Sequence, residues 1–363
     1  MKKFLSILLS AVMLLSFCSC SDTRSESLQR MLESLTEEAD FGGVIRITRD
    51  GKTLCEIARG STYSGVEEQN TMDSRFCIGS VSKQFAAASI MLLKQKGLLS
   101  VDDKLKKYFP QYTIGKDITL KNLLTMRSGI AEFYGVHYIN DAFTEIPTND
   151  LEGVLTNKKT PGENREILKG WLFKQPLIFE PDSTYEYSNS NFFLLAEIVS
   201  QVSGMEYEDF VKKNILEPLG MKQTSFIDDN TDFSGLSKPS VDTKSIYIGI
   251  TQGLGDLYSC AGDMDKWLSS IWKHTLLTEE SVQEMSQDYS PEEEYYYGYG
   301  INPDGEGGLF HTGFFSTYYA VDYTNPDEHI NLFAVTNDET KMKSDLAELC
   351  YRLIDRLSNT NLR

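Results

Sequence analysis

The sequence predicts an α+β fold: an antiparallel sheet, flanked by N- and C-terminal helices, with an inserted and mainly helical lobe. Three observations predict it. Two β-rich runs near the start, Gly43 to Thr48 and Thr53 to Arg59, bracket Asp50-Gly51, a dipeptide suited to the positive φ angles of a tight hairpin. Runs of aromatic and β-branched residues return only late, at 296–301, 308–312, 317–323 and 330–336. Between them, from Ser80 to about Glu294, apolar residues recur mainly at helical spacing. Early and late strands then share one sheet, so the reading assigns residues 25–62 and 295–363 to a sheet lobe and 63–294 to a mainly helical lobe, with a cleft between them.

In chain order, residues 25–39 read as an amphipathic helix with Leu28, Met31, Leu32 and Leu35 on one side. Further helices are predicted at 80–96, 119–126, 191–202, 207–215 and 263–272, and a long, less regular excursion runs from Gly129 to Pro181. The helix from Ser80 is distinctive: from Phe85 to Leu93 only Ser89 is polar, which predicts burial on all sides, and Gly97 ends it. Residues 343–357 close the chain as a helix with Leu346, Leu349, Leu353 and Leu357 aligned.

Residues 1–20 read as a signal peptide: Lys2 and Lys3, an apolar run from Phe4 to Phe17, then Cys18-Ser19-Cys20. The apolar run is short for a membrane span. The cysteines resemble a bacterial lipoprotein processing site with Cys20 as the lipidated residue, so the chain is expected to be exported and membrane-anchored in a bacterial cell envelope. Cys55, Cys77, Cys260 and Cys350 are scattered and expected to be buried free thiols. The formal charge of -18 argues against nucleic acid as a partner. From His274 to Thr340 there are fourteen Asp and Glu and no Lys or Arg. The four histidines are dispersed without ligand-like spacing, so no metal or other cofactor is expected.

The candidate chemistry starts at Ser80 and Lys83, three residues apart on one helix face. Unpaired N-H groups at a helix start favour the oxyanion formed when a serine attacks a carbonyl, and a lysine in a dry cleft has its pKa lowered toward that of a base. Ser270-Ile271-Trp272-Lys273 repeats the spacing and reads as ordinary helix. Tyr187-Ser188-Asn189 lies just before the helix near Asn191. There Tyr187 is a candidate base toward Ser80 if the Lys83 ammonium lowers its pKa, and Asn189 a candidate partner of Lys83 and of a substrate carbonyl. His311-Thr312-Gly313 ends a strand, where polar residues followed by glycine let an extended substrate lie along the edge.

Together and in this order, Ser80-Val81-Ser82-Lys83, Tyr187-Ser188-Asn189 and His311-Thr312-Gly313 resemble the three motifs of the serine β-lactamase and penicillin-binding protein superfamily, in the branch of class C β-lactamases and D-alanyl-D-alanine carboxypeptidases. Flanking runs agree, among them Leu123-Leu124-Thr125-Met126-Arg127-Ser128-Gly129, Glu217-Pro218-Leu219-Gly220-Met221 and Ala261-Gly262-Asp263-Met264. The resemblance implies a β-lactamase/transpeptidase-like fold, Ser80 as acylated nucleophile, Lys83 and Tyr187 as the base system, and Asn189, His311, Thr312, Gly313 and Phe314 as substrate-binding residues. The N-H groups of Ser80 and Phe314 would form the oxyanion hole.

Three positions depart from the pattern. Phe314-Phe315 follows Gly313 where the family often has another glycine, Met126-Arg127 stands where many relatives have His-Thr, and Asp182 follows Pro181 where glycine is common. Asp182 is expected to keep the turn. His311 stands where β-lactamases usually have lysine, and a carboxylate-bearing β-lactam favours a nearby cation. The expected activity is therefore hydrolysis of an ester, amide or D-amino-acid peptide, cell-wall peptide included. A β-lactamase and a penicillin-binding sensor with little turnover are the alternatives.

Overall fold

The computed structural model describes residues 25–61, 68–133, 136–139, 142–145, 151, 155, 158–227, 237, 249–291, 296–338 and 344–359. The expected signal peptide and Cys20 lie outside these residues. Among them, no helix is long and apolar enough to cross a membrane.

Helix α1 (residues 25–38) leads into β1 (Gly43–Arg49) and β2 (Lys52–Arg59). Asp50 and Gly51 take φ +52° and +72°, the left-handed pair that the hairpin requires. After β3 (Phe76–Cys77) a 3₁₀ turn, Gly79–Val81, opens α2 (Ser82–Gln95). Then come α3 (Leu120–Leu124), the hairpin β4 (Val136–Ile139) and β5 (Ala142–Glu145), α4 (Pro161–Leu172), α5 (Asn189–Ser203), α6 (Tyr207–Val211), α7 (Glu217–Leu219), β6 (Ser225–Phe226), β7 (Leu257–Ser259), α8 (Ala261–Trp272) and α9 (Glu279–Met285). The chain closes with β8 (Asn302–Pro303), β9 (Leu309–Phe315), β10 (Tyr318–Asn325), β11 (Ile330–Thr336) and α10 (Ser344–Asn359).

One antiparallel sheet has the order β2-β1-β11-β10-β9-β8, which joins the first strands of the chain to the last. Its two faces separate by alternation along each strand. Ile45, Ile47, Leu332 and Ala334 pack against Leu28 and Leu32 of α1 and Leu346, Leu349, Leu353 and Leu357 of α10. Val44, Ala320, Phe333 and Val335 join the larger core around α2, α5 and α8. Because both faces are covered, β11 is buried along its whole length and shows no polar alternation. Helix α2 is buried from Ser82 to Leu93, as its all-round apolar character requires.

The structure corrects several expected elements. Residues 296–301 form a turn rather than a strand: Gly300 has φ +65°, Gly298 N-H bonds to Ile301 O, and Tyr299 N-H bonds to Met285 O. Their aromatic side chains reflect burial, Tyr297 and Tyr299 being core residues, and burial alone does not select extended backbone. His311 to Gly313 lie inside β9, which runs on to Phe315. The 129–181 excursion contains α4, whose start carries a full capping box between Thr160 and Glu163 with Pro161 in the first turn. Strands β3, β6 and β7, of two or three residues each, form a second sheet too short to leave a periodic signal.

Candidate active site

Ser80 sits on the 3₁₀ turn that precedes α2, pressed against the backbone of β9. Two glycines permit this approach. Gly79 has φ +52°, and a Cβ there would lie 2.7 Å from Phe314 N. A Cβ on Gly313 would lie 1.8 Å from Ile78 O and 3.1 Å from Ser80 N. Any other side chain at either position would push the Ser80 turn off the strand.

Lys83, one helical turn on, is fully buried, with Nζ 2.9 Å from Ser80 Oγ and 2.9 Å from Leu254 O. Burial lowers its pKa to about 7, against the opposing pull of Glu132 and Asp256. Burial also pushes the Asp256 carboxyl well above the usual carboxylate range.

Tyr187 is held by the turn that follows α3. Met126, at φ +58°, accepts the Glu186 N-H on its carbonyl and the Ser188 N-H on its sulfur. Ser128 Oγ bonds to Asn191 Oδ1, and Ser190 Oγ to Ala131 O, so residues 126–133 grip the start of α5. Asp182 has φ +69° and accepts a hydrogen bond from Arg127 at 3.1 Å, keeping the expected turn without glycine.

The Tyr187 ring lies 4.9 Å from Lys83 Nζ. Burial raises the Tyr187 pKa, a hydrogen bond with Ser80 pulls it down, and Glu132 raises it further. The expected lowering by the Lys83 ammonium is not found: in so dry a site the cost of a buried phenolate prevails, and Tyr187 keeps its proton.

Asn189 is the first residue of α5, and its backbone N-H donates to the buried Glu132 carboxylate. Lys83 donates to Ser80 and Leu254, and among the described residues no hydrogen bond joins it to the Asn189 amide, where one was expected. His311 is buried, its backbone N-H donating to Asp322 at 2.8 Å. Burial, with Lys83 adding to it, lowers its ring pKa to about 3. The ring is neutral, and because Nδ1 lies 2.6 Å from Thr312 O, which only accepts, Nδ1 carries the proton. Thr312 is partly exposed and Phe314 is 48 % exposed at the rim.

The second Ser-x-x-Lys is structural: Ser270 Oγ bonds to Trp267 O, and Lys273 lies over the Trp272 ring. Arg127 pairs with Asp182, while Arg165 and Lys169 pair with Glu197. Sequence reasoning missed Glu132, Asp256 and Tyr297, whose ring stands 6.1 Å from both Tyr187 and His311. No spacing signals them, because each reaches the site from a different loop. Among the described residues, no group of His, Cys, Asp and Glu is arranged to hold a metal.

The fold is the β-lactamase/transpeptidase fold. A solved octameric penicillin-binding protein homologue from Pyrococcus abyssi superposes with a TM-score of 0.73 at 25 % identity, covering 92 % of this chain and 77 % of that one. Residues 28–352 match the beta-lactamase family, and the chain belongs to it. Penicillin-binding protein 4* of Bacillus subtilis (strain 168) is 32 % identical over 204 residues, 55 % of this chain and 41 % of that protein. The D-aminopeptidase of Brucella anthropi is 26 % identical over 327 residues, 86 % of this chain and 58 % of that protein. The chain thus spans about half the length of these curated relatives.

Proposed function

We propose that the chain is an exported serine hydrolase that forms an acyl-enzyme on Ser80 from an ester, amide or D-amino-acid peptide and releases the acyl group to water. The observation that carries this reading is the buried Lys83 amine 2.9 Å from Ser80 Oγ, with a pKa near 7. Neutral Lys83 takes the Ser80 proton as Oγ attacks the carbonyl. The N-H groups of Ser80 and Phe314 receive the oxyanion, which the close fit of Gly79 and Gly313 supports. Tyr187 hands its proton to the leaving group while the proton that Lys83 took from Ser80 replaces it, so no phenolate persists in the acyl-enzyme. In deacylation the relay reverses, the attacking water giving up one proton and Ser80 Oγ regaining one. Asn189, Thr312 and the exposed Phe314 ring border the substrate. This site, between β9 and the helices, supports the division into a sheet lobe (25–62 and 295–363) and a helical lobe (63–294).

Neutral His311 offers no positive charge to a substrate carboxylate, which disfavours β-lactams and C-terminal carboxylates. Glu132, whose charge bears on both Lys83 and Tyr187, favours a positive group instead. The D-aminopeptidase relative fits that preference. The N-terminal sequence supports cleavage and lipidation at Cys20.

Intact-protein mass spectrometry after exposure to benzylpenicillin or to an activated ester, with Ser80→Ala as control, tests the reading. A Ser80-dependent ester adduct that clears faster than a penicillin adduct is expected. No adduct with either reagent overturns it. Faster turnover of penicillin makes the chain a β-lactamase.

A further inference from the structure

Beneath the site, four secondary-structure elements are joined by one chain of buried hydrogen bonds. Trp267 Nε1 of α8 donates to Gln84 Oε1 of α2 at 2.6 Å. Gln84 Nε2 donates to both Asp322 oxygens of β10, at 3.0 and 2.9 Å, and Asp322 Oδ1 accepts the His311 N-H of β9 at 2.8 Å. Gln84 and Asp322 have no exposed surface, and Trp267 has 1 %.

The chemistry fixes every direction in this chain. An indole N-H only donates, so Gln84 must present its carbonyl oxygen to Trp267 and its NH₂ to Asp322. Asp322 must then accept on all sides, which an ionised carboxylate does and a protonated one does only in part. Burial nevertheless pushes its pKa up to about 7, so the network holds the charge at a cost.

The two ends of this chain matter for Ser80. Gln84 follows Lys83 directly, and His311 is two residues before Gly313, whose backbone lies against Ser80 N. We propose that Gln84 and Asp322 are positioning residues: they lock α2 to β9 and so set the spacing between Ser80 and the strand that receives the oxyanion. The proposal rests on Ser80 being the nucleophile. Sub-ångström placement governs such reactions, and a rigid, fully satisfied polar network supplies it.

Donor and acceptor complementarity provides the test. Asp322→Asn turns an NH₂ toward the Gln84 NH₂, and Gln84→Glu sets two carboxylates face to face. The double variant is satisfied again: the carboxylate introduced at 84 accepts from Trp267 and from the amide introduced at 322, whose oxygen accepts the His311 N-H. The rate at which a fluorophosphonate probe labels Ser80 is measured as a function of probe concentration.

Each single variant should label at least tenfold more slowly at saturation, with the half-saturating concentration changed less than threefold. The double variant should return to within threefold of the unmodified chain. Folded single variants that label at the original rate overturn the proposal, as does a folded double variant no faster than the slower single. If a single variant does not fold, the double variant decides: labelling within threefold supports the proposal, and a folded chain that labels more slowly overturns it.

Amide hydrogen exchange at His311 should quicken in the single variants and recover in the double, and unchanged exchange overturns the anchor. Labelling of the unmodified chain that is absent in Ser80→Ala reports separately on Ser80, so failure of that reading is told apart from failure of the anchor.

Discussion

Gly313→Ala tests the contact on which the proposed oxyanion site depends. The added Cβ would fall 1.8 Å from Ile78 O and 3.1 Å from Ser80 N, and neither partner is a side chain that can swing aside. The Ser80 turn and β9 must separate by about 1.6 Å to reach the roughly 3.4 Å of ordinary contact. A misplacement of about 1 Å at reacting groups costs on the order of 100-fold, and loss of one oxyanion donor about 100- to 1,000-fold, or ~2.7–4 kcal/mol. Acylation of Ser80 by an activated ester, followed by stopped-flow absorbance, should therefore slow at least 100-fold. Overpacking should also cost about 1–3 kcal/mol of stability in a denaturant melt. Gly262→Ala is the control: nothing lies within 4 Å of its added Cβ, so neither stability nor rate should fall. A folded Gly313→Ala chain that acylates within tenfold of the original would refute the reasoning.

Three further outcomes follow from the same structure. Because the Lys83 pKa is lowered to about 7, its amine fraction and the Ser80 acylation rate should rise as pH climbs to about 7 and level off above it. Asp322 ionises in the same window with the same sign, while His311, neutral above about 3, adds no step. A rate that falls as pH rises through 7 contradicts Lys83 as the base. Cys55, Cys77, Cys260 and Cys350 are free and buried, so a thiol reagent should leave all four unmodified until denaturant is added. Thr160→Ala removes the hydroxyl that caps α4 and should lower the denaturation midpoint by the equivalent of about 1 kcal/mol.

Much of the fold was legible because its signals are local. The Asp50-Gly51 hairpin, the leucine stripes of α1 and α10, and the all-round apolar α2 are each written within a short window, and each appears where it was read. The strand expected at 296–301 was misread for a local reason. Tyr297 and Tyr299 gave 296–301 the composition of a strand, yet Gly298 and Gly300 turn it back on Met285 and Ile301. Within the site, Ser80, Lys83, Tyr187 and His311 stood in recognisable motifs. Glu132, Asp256 and Asp322 did not, because nothing in their neighbours along the chain distinguishes them from ordinary polar residues, and Gln84, although next to Lys83, occupies no motif position.

The sequence by itself determined which groups are present: a serine and lysine one turn apart, a tyrosine before a helix, a histidine in place of a cation, and glycines where backbones meet. Only the tertiary structure decided how those groups behave. Burial drives Lys83 down to about 7, keeps the proton on Tyr187 and neutralises His311, because a charge removed from water is disfavoured whatever its neighbours in sequence. Residue type sets the chemistry available, and packing sets the dielectric and distances that select among protonation states.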